Sequence, residues 1–532
     1  MRKRMHITFV VMLLLTSVVM VRLLTLSLDV QYTAAAHSQS TYRLELSRTR
    51  GRIYDAQLRP LAGGRVRYKA AIAPSEECRS HLAGVMEPKQ YAAISENLRR
   101  RSPFVCVVSS GDIEGSGVSV FRTETRYSAN TVAEHTIGYL NGSGEGASGI
   151  ERVYDSYLAG AEGALTLSYE ITAAGGSLAG VKPTVTDTTA NSRAGVVLTL
   201  DTDIQLLAEE AAKQLPRGAV VVMELPDCKL RAVVSTPSIE CDSIGTYLER
   251  EDAPLLNRAI SAYDIGSVFK LTVAAAALET GLDPTSVYCC EGYTDIGENR
   301  FHCSNREGHG DVDMYSAIAC SCNTYFIDLA RQIGGERILE YARRLGLGQS
   351  ISLCDGYDTA AGCLPEPKTL DRPAALANLA FGQGELLSTP MHMAALTAAI
   401  ANGGIYRKPS ILVGLVNAEG EYIQKTETPQ GKEILSQETC RVLTLAMRKA
   451  VTEGTASGGE GERVQCAAKT GTAQTGIVEN GHKVLQAWYA GFFPYDDPRY
   501  VCVVLAEDGK SGGSSAAPVF KHIADGLERR CQ

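Results

Sequence analysis

Y-D-I-G-S-V-F-K, residues Tyr263 to Lys270, followed by the apolar run L-T-V-A-A-A-A-L, is the stretch on which the reading of this chain turns. Ser267 and Lys270 are three positions apart, so on a helix they share one face about one turn apart. Gly266 permits a sharp turn just ahead of the helix, which places Ser267 near its first turn. There, unpaired backbone N–H groups stabilise developing negative charge. The run behind is apolar on every side, the pattern of a helix buried within a domain. A serine and a lysine at the head of a buried helix are a candidate nucleophile and base. Serine and lysine at this spacing also arise by chance, so the rest of the chain must decide.

Working outward, 532 residues exceed one compact domain and predict two or three units. The chain is 45% hydrophobic and 21% charged, which excludes long disordered or collagen-like character. A formal charge of -8 gives no reason to expect nucleic acid as a partner. The 15 cysteines are scattered, without repeated C-x-x-C spacing, and their odd number leaves at least one unpaired unless a bridge joins two chains.

Arg2, Lys3 and Arg4 precede an apolar run from Ile7 to Leu28 that only Arg22 interrupts. At about 1.5 Å per residue this run crosses the roughly 30 Å of a bilayer core. The basic end is expected inside and all later residues outside. Arg22 lies near the outer end, where its stem can snorkel. A cleaved signal peptide with processing at Ala34-Ala35-Ala36 is the competing reading, but that site lies far beyond Val21, and an uncleaved anchor is expected.

From Asp29 to about Ala194 the sequence is polar and reads as an extended, loop-rich spacer. Its strand-like pieces are Val66 to Ile72, Phe104 to Ser109 and Val118 to Phe121. Two clusters stand out, R-G-R-I-Y-D at Arg50 to Asp55 and G-A-S-G-I-E at Gly146 to Glu151. Gly146 and Gly149 read as turn residues and the arginines as partners for carboxylates.

At Gly195 the texture changes. Val196 to Leu200 is strand-like, and Asp201 is placed to cap the helix of D-I-Q-L-L-A-E-E-A-A. Ala219 to Leu225 and Leu230 to Ser235 read as a hairpin. Amphipathic helices are expected at Met314 to Ile333, Glu336 to Leu345 and Met391 to Ala401. Strands at Gln486 to Phe493 and Tyr500 to Ala506 and a helix at Ala517 to Glu528 close the chain. The sum is an α+β domain whose sheet pairs its first and last strands.

Two further motifs follow the first: Ser321-Cys322-Asn323 and Lys469-Thr470-Gly471-Thr472. Serine–lysine, serine–asparagine and Lys-Thr-Gly motifs in this order are the signature of penicillin-binding proteins and class A β-lactamases. Over nearly its whole length the chain resembles a class B penicillin-binding protein, a monofunctional peptidoglycan D,D-transpeptidase. Supporting stretches are L-T-L-D at Leu198, N-R-A-I at Asn257, H-G-D-V-D at His309, F-G-Q-G at Phe381, T-P-M at Thr389 and A-A-K-T-G-T-A at Ala467. Arg50, Gly51, Asp55, Arg126-Tyr127, Gly146, Gly149 and Glu151 resemble the family's pedestal motifs. Three positions depart from the family pattern. Ile265 stands where proline usually precedes the glycine of the nucleophile motif. Ala56-Gln57-Leu58 replaces Arg-Asn-Gly after Asp55, and Ser128 replaces a proline after Arg126-Tyr127.

The resemblance implies a cytoplasmic tail (1–6), a transmembrane anchor (7–28), an elongated β-rich pedestal (29–194) and a transpeptidase domain (195–532). The last would have the penicillin-binding/serine β-lactamase-like fold, a central antiparallel sheet with flanking helices. No room is expected for an appended C-terminal repeat domain. Ser267 would be the nucleophile and Lys270 its base, its amine neutralised by burial and by Lys469. Ser321 would relay the proton, and Asn323 would hold Lys270 and a substrate amide. Lys469, Thr470 and Thr472 would bind the substrate carboxylate along the strand that Gly471 belongs to. Backbone N–H groups of Ser267 and Thr472 would form the oxyanion hole.

Expected partners are peptidoglycan stem peptides, β-lactam antibiotics and a membrane glycosyltransferase of the shape, elongation, division and sporulation family. No cofactor and no metal are expected. Two other readings remain, a scaffold that activates that glycosyltransferase and a β-lactam-sensing receptor. Cys289, Cys290, Cys303, His302 and His309 form a soft-ligand cluster, but their spacing matches no zinc template, so scattered disulfides or free thiols are expected. Cys320 and Cys322 flank Ser321, which predicts redox-sensitive activity. Trp488, the single tryptophan, is expected in the core or the cleft wall.

Overall fold

The computed structural model describes residues 2–28, 40–128, 131–178, 180–479 and 482–531; the Ala34-Ala35-Ala36 site lies outside them. Arg2–Leu28 is one helix with no buried residue and a mean hydropathy of 2.5 in its most apolar window, long and apolar enough to cross a membrane.

The chain divides into two compact units. One comprises Met1–Arg50, Gly63–Arg126 and Ala161–Ser192. Within it, Arg65–Ile72 is the middle strand between Phe104–Val108 and Val118–Thr125. Two helices, Glu76–Val85 and Pro88–Arg99, supply Cys78, Leu82, Ile94 and Leu98 to a core with Ala70, Ile72 and Val118. A second sheet of Thr41–Thr49, Gly163–Glu170 and Thr184–Asp187 buries Leu44, Leu46 and Leu167. The loop-rich spacer is thus corrected to a packed unit of antiparallel sheets and helices. Its helices bury only two residues each, a weak periodic signal, although Ser75 caps the first through Cys78 N and Pro88 opens the second.

The other unit comprises Gly51–Ala62, Tyr127–Gly160 and Arg193–Gln532. The chain thus crosses between the two units several times, the last time at Arg193, beside the boundary expected at Gly195. Ile53 pairs in parallel with Val196, which ties the short strand Arg52–Tyr54 to the first strand after the expected boundary. Asp55 is fully buried and accepts from Thr202 Oγ1 at 2.6 Å and Arg59 Nε at 2.7 Å. Glu151, also buried, accepts from Tyr127 Oη at 2.8 Å. Both motif carboxylates are thus internal anchors of this unit.

Its central antiparallel sheet contains β1 (Gly218–Glu224), β2 (Lys229–Thr236), β3 (Ala467–Glu479), β4 (His482–Phe493) and β5 (Tyr500–Glu507), in the order β2-β1-β5-β4-β3. The hairpin and the pairing of early with late strands are as expected: Val220 stands opposite Val504. Every residue from Gly218 to Met223 is buried, because both faces of the sheet are covered. Val220, Val222 and Val504 pack with Ala208, Phe520 and Ile523 on one side. Val221, Met223 and Val503 pack with Leu271 and Leu396 on the other.

Six helices frame the site: α1 (Lys270–Glu279), α2 (Met314–Ala319), α3 (Asn323–Ile333), α4 (Pro390–Ala401), α5 (Gln437–Thr452) and α6 (Ala517–Cys531). Asp201 caps its helix as read, accepting from Asp203 N and Ile204 N. Two expectations are corrected. Residues 390–400 of α4 are all buried, so it is a core helix and not an amphipathic one. The helix expected from Met314 to Ile333 is two helices, broken at Ser321. Cys322 N bonds Ala317 O and Ser321 N bonds Ile318 O, the two bonds of a Schellman cap, with Ser321 in its left-handed position at φ +57°. Glycine usually fills that position, so the sequence carries no breaker signal there.

Candidate active site

The turn that carries the candidate nucleophile is a 3-10 turn, Gly266–Phe269, that leads into α1 at Lys270. Ser267 is half-buried, whereas Lys270 is fully buried at the head of α1. Trp488, a core residue on β4, donates from Nε1 to Asp264 O at 2.8 Å and so fixes the turn from beneath.

Two glycines let the edge strand β3 lie against this turn. A Cβ on Gly471 would come within 2.8 Å of Ile265 O and 2.9 Å of Val268 Cγ2. Gly266 has φ +56°, and a Cβ there would meet Thr472 O at 2.7 Å. A third, Gly382 of F-G-Q-G, accepts a bond from Gly266 N at 3.1 Å and would place a Cβ 1.9 Å from Gly266 O. The motif was legible, but this supporting role was not. Gly382→Ala is expected to cost at least about 2 kcal/mol, since a backbone collision adds to left-handed strain at φ +81°. Chemical denaturation of the variant checks this; an unchanged midpoint would refute the packing argument.

Lys270 Nζ donates to Ser321 O at 2.7 Å, Ser321 Oγ at 3.1 Å and Asn323 Oδ1 at 2.7 Å. Lys469 Nζ, from β3, donates to the same Ser321 Oγ at 3.0 Å and to Thr470 O at 2.9 Å. Two fully buried lysines thus converge on one hydroxyl held in a strained backbone position. Burial lowers the Lys270 amine to about 8, against the opposing pull of Cys322, Cys303 and Cys320. Burial, and then the charge of Lys270, push Lys469 well below its usual range. Both amines are therefore held below the ordinary lysine range, first by burial. Phe326, whose ring centroid is 5.6 Å from Lys270 Nζ, adds an aromatic face that the sequence reading did not foresee.

Lys270 spends all three donors on Ser321 and Asn323 and makes no hydrogen bond to Ser267 Oγ among the described residues. A neutral amine has two N–H donors and a lone pair, so one of these acceptors must be released before it can take a proton. Asn323 is itself held by Nδ2 donating to His302 O at 3.2 Å. On β3, Thr470 is buried and paired with Thr455 Oγ1 at 2.7 Å, while Thr472 is exposed and accepts from Gly512 N at 3.4 Å. Serine, two lysines, asparagine and the Thr-Gly-Thr strand therefore meet in one place.

The cysteines adopt one of the two states expected of them. All fourteen whose side chains are described are free thiols. Cys290, Cys303, His309 and Cys322 gather with their ligand atoms within 4.8 Å of one another. Cys289 and His302, counted in the sequence cluster, are not members. Each neighbours a member on a strand or at a strand end, where successive side chains take opposite faces.

The Transpeptidase family, described as the penicillin binding protein transpeptidase domain, matches residues 218–525. Stage V sporulation protein D of Bacillus subtilis is 29% identical over 76% of this chain and 64% of that protein. Penicillin-binding protein PbpB of Mycolicibacterium smegmatis is 31% identical over the same shares. The chain thus spans 64% of the length of each of these relatives. Among solved structures, a chain from a peptidoglycan synthase complex that coordinates polymerization and crosslinking superposes with a TM-score of 0.70 at 24% identity, covering 97% of both chains.

Proposed function

Since the chain belongs to the class B penicillin-binding proteins, we propose that it is a serine D,D-transpeptidase that cross-links peptidoglycan stem peptides and is acylated by β-lactams. The observation that carries this reading is the convergence of Lys270 and Lys469 on Ser321 Oγ, beside the turn that presents Ser267. A purely scaffolding role would not need two buried lysines held against a strained serine.

Ser267 Oγ attacks the carbonyl of the penultimate D-Ala while its proton passes to neutral Lys270. Backbone N–H groups of Ser267 and Thr472 receive the oxyanion. The tetrahedral intermediate collapses, the C–N bond breaks, and the proton returns by way of Ser321 to the departing D-Ala amine. An amine of a second stem peptide then attacks the ester and loses its proton to Lys270, which passes it to Ser267 Oγ as the ester C–O bond breaks. Lys469, which takes a proton from solvent as the carboxylate arrives, binds the substrate terminus together with Thr470 and Thr472, and Asn323 orients a substrate amide.

Residues 7–28 would anchor the protein in the cell membrane with residues 1–6 inside. The 29–194 segment would then act as pedestal and 195–532 as catalytic domain, both outside. A membrane glycosyltransferase of the shape, elongation, division and sporulation family fits as partner, in keeping with the synthase complex of like fold. Incubating the full chain in detergent with a D-Ala-D-Ala stem-peptide donor and an amine acceptor tests the activity. D-Ala release with a matching amount of cross-linked product is expected; absence of both would contradict the proposal.

The pH dependence follows from Lys270. Its amine must be neutral to accept the Ser267 proton and it titrates at about 8, so the second-order rate of β-lactam acylation rises from pH 6.5 to 8.5 and then levels. A flat profile over that range would remove Lys270 from the role of base.

A further inference from the structure

We infer that Cys290, Cys303, His309 and Cys322 bind one zinc ion, and that this ion clamps the turn that carries Ser321 and Asn323. Four separate segments supply the ligands. Cys290 ends the strand Tyr288–Cys290, and Cys303 follows the strand Asn299–His302. His309 precedes the strand Gly310–Val312, and Cys322 lies between α2 and α3.

Three of the six separations between ligand atoms are those of a tetrahedron, and the other three lie within 4.8 Å. Zinc bonds of about 2.3 Å to sulfur and about 2.0 Å to imidazole nitrogen imply edges of about 3.8 Å between sulfurs and about 3.5 Å between sulfur and nitrogen. Cys303 Sγ lies 3.7 Å from Cys322 Sγ and 3.4 Å from His309 Nδ1, and Cys290 Sγ lies 3.6 Å from His309 Nδ1. The Sγ–Sγ distance is far from the roughly 2.05 Å of a disulfide. Three thiolates and one imidazole are a soft donor set with the ligand count of a closed structural zinc site.

The surroundings supply donors to sulfur. Asn323 N donates to Cys303 Sγ at 3.2 Å, and Thr324 Oγ1 donates to Cys290 Sγ at 3.1 Å. Such bonds stabilise metal-bound thiolates and fix their orientation. All three cysteines are buried, so three thiolates without a cation would be costly there, whereas binding zinc releases their protons to solvent.

The consequence for the active site is geometric. Cys322 sits between Ser321, in its left-handed position, and Asn323, whose backbone bonds a second ligand. Fixing Cys303 and Cys322 on one ion holds the two residues that orient Lys270. The effect on catalysis rests on the transpeptidase reading; the metal site does not.

The test uses the full chain purified in detergent. Elemental analysis should give about one zinc per chain, and exchange for cobalt should give the visible bands of a tetrahedral thiolate site. Alkylation mapped by mass spectrometry should find Cys290, Cys303 and Cys322 protected until a zinc chelator is added, with Cys228 and Cys466 unaffected by the chelator. Cys303→Ser combined with His309→Ala should lose the metal. Chelation should slow β-lactam acylation of the wild type at least tenfold, with recovery on adding zinc chloride. Zinc well below stoichiometry even after zinc addition, protection indifferent to the chelator, a Cys303–Cys322 disulfide in non-reducing maps, or full metal content in the double variant would each overturn the site. If zinc binds but acylation ignores it, the clamping role is overturned and the site stands. If no β-lactam reacts with or without zinc, the transpeptidase reading fails instead.

Discussion

Ser267→Ala is expected to lose all covalent labelling by fluorescent penicillin and to lower D-Ala release by at least about 10⁴-fold. No other group can take over the attack. The hydroxyl is the half-buried nucleophile candidate at the turn, and the remaining polar groups are committed: Ser321 Oγ to two lysines, and Thr470 to Thr455. Ser267 Oγ makes no hydrogen bond that holds the fold among the described residues, so the variant should melt with the wild type. Measuring labelling and melting together separates the two effects. Loss of labelling with a lowered melting temperature would point to a structural role for Ser267.

Lys270→Met is expected to lower the acylation rate by about 10³- to 10⁴-fold, the range for a general base. Its effect on stability should differ from that of an ordinary core lesion. Methionine keeps much of the volume and removes a fully buried amine, although Ser321 O and Asn323 Oδ1 lose a donor. Activity should therefore fall far more steeply than stability, and stopped-flow acylation set beside a denaturation curve checks the split. Acylation within tenfold of wild type would move the role of base to Lys469, the other amine on Ser321.

Much of the fold was legible because its signals are local. The β1–β2 hairpin and the Asp201 cap follow from β-branched runs and a capping carboxylate, and both are present. The three candidate site motifs were legible as types in order, and the structure brings Lys270, Ser321, Asn323 and Lys469 together. Other features depend on tertiary context. Ser321 ends α2 in a position that glycine usually fills, and no propensity reports that. Gly382 matters because Gly266 O is 1.9 Å from where its Cβ would stand, a contact between residues far apart in sequence. The cysteine cluster was half seen. Strand alternation excludes Cys289, which is exposed beside buried Cys290, and only folding brings Cys322 to Cys303. Ile265, at the place where proline is usual, is fully buried and offers its carbonyl to the close approach of Gly471, so the turn is held by packing.

The central claim is that Ser267 is the acylated nucleophile of a transpeptidase. Intact-mass measurement of the full chain after brief exposure to benzylpenicillin, followed by peptide mapping, tests it most directly. The account predicts one penicilloyl group per chain, carried on Ser267. No adduct, or an adduct on Ser321 or on a cysteine, would contradict it.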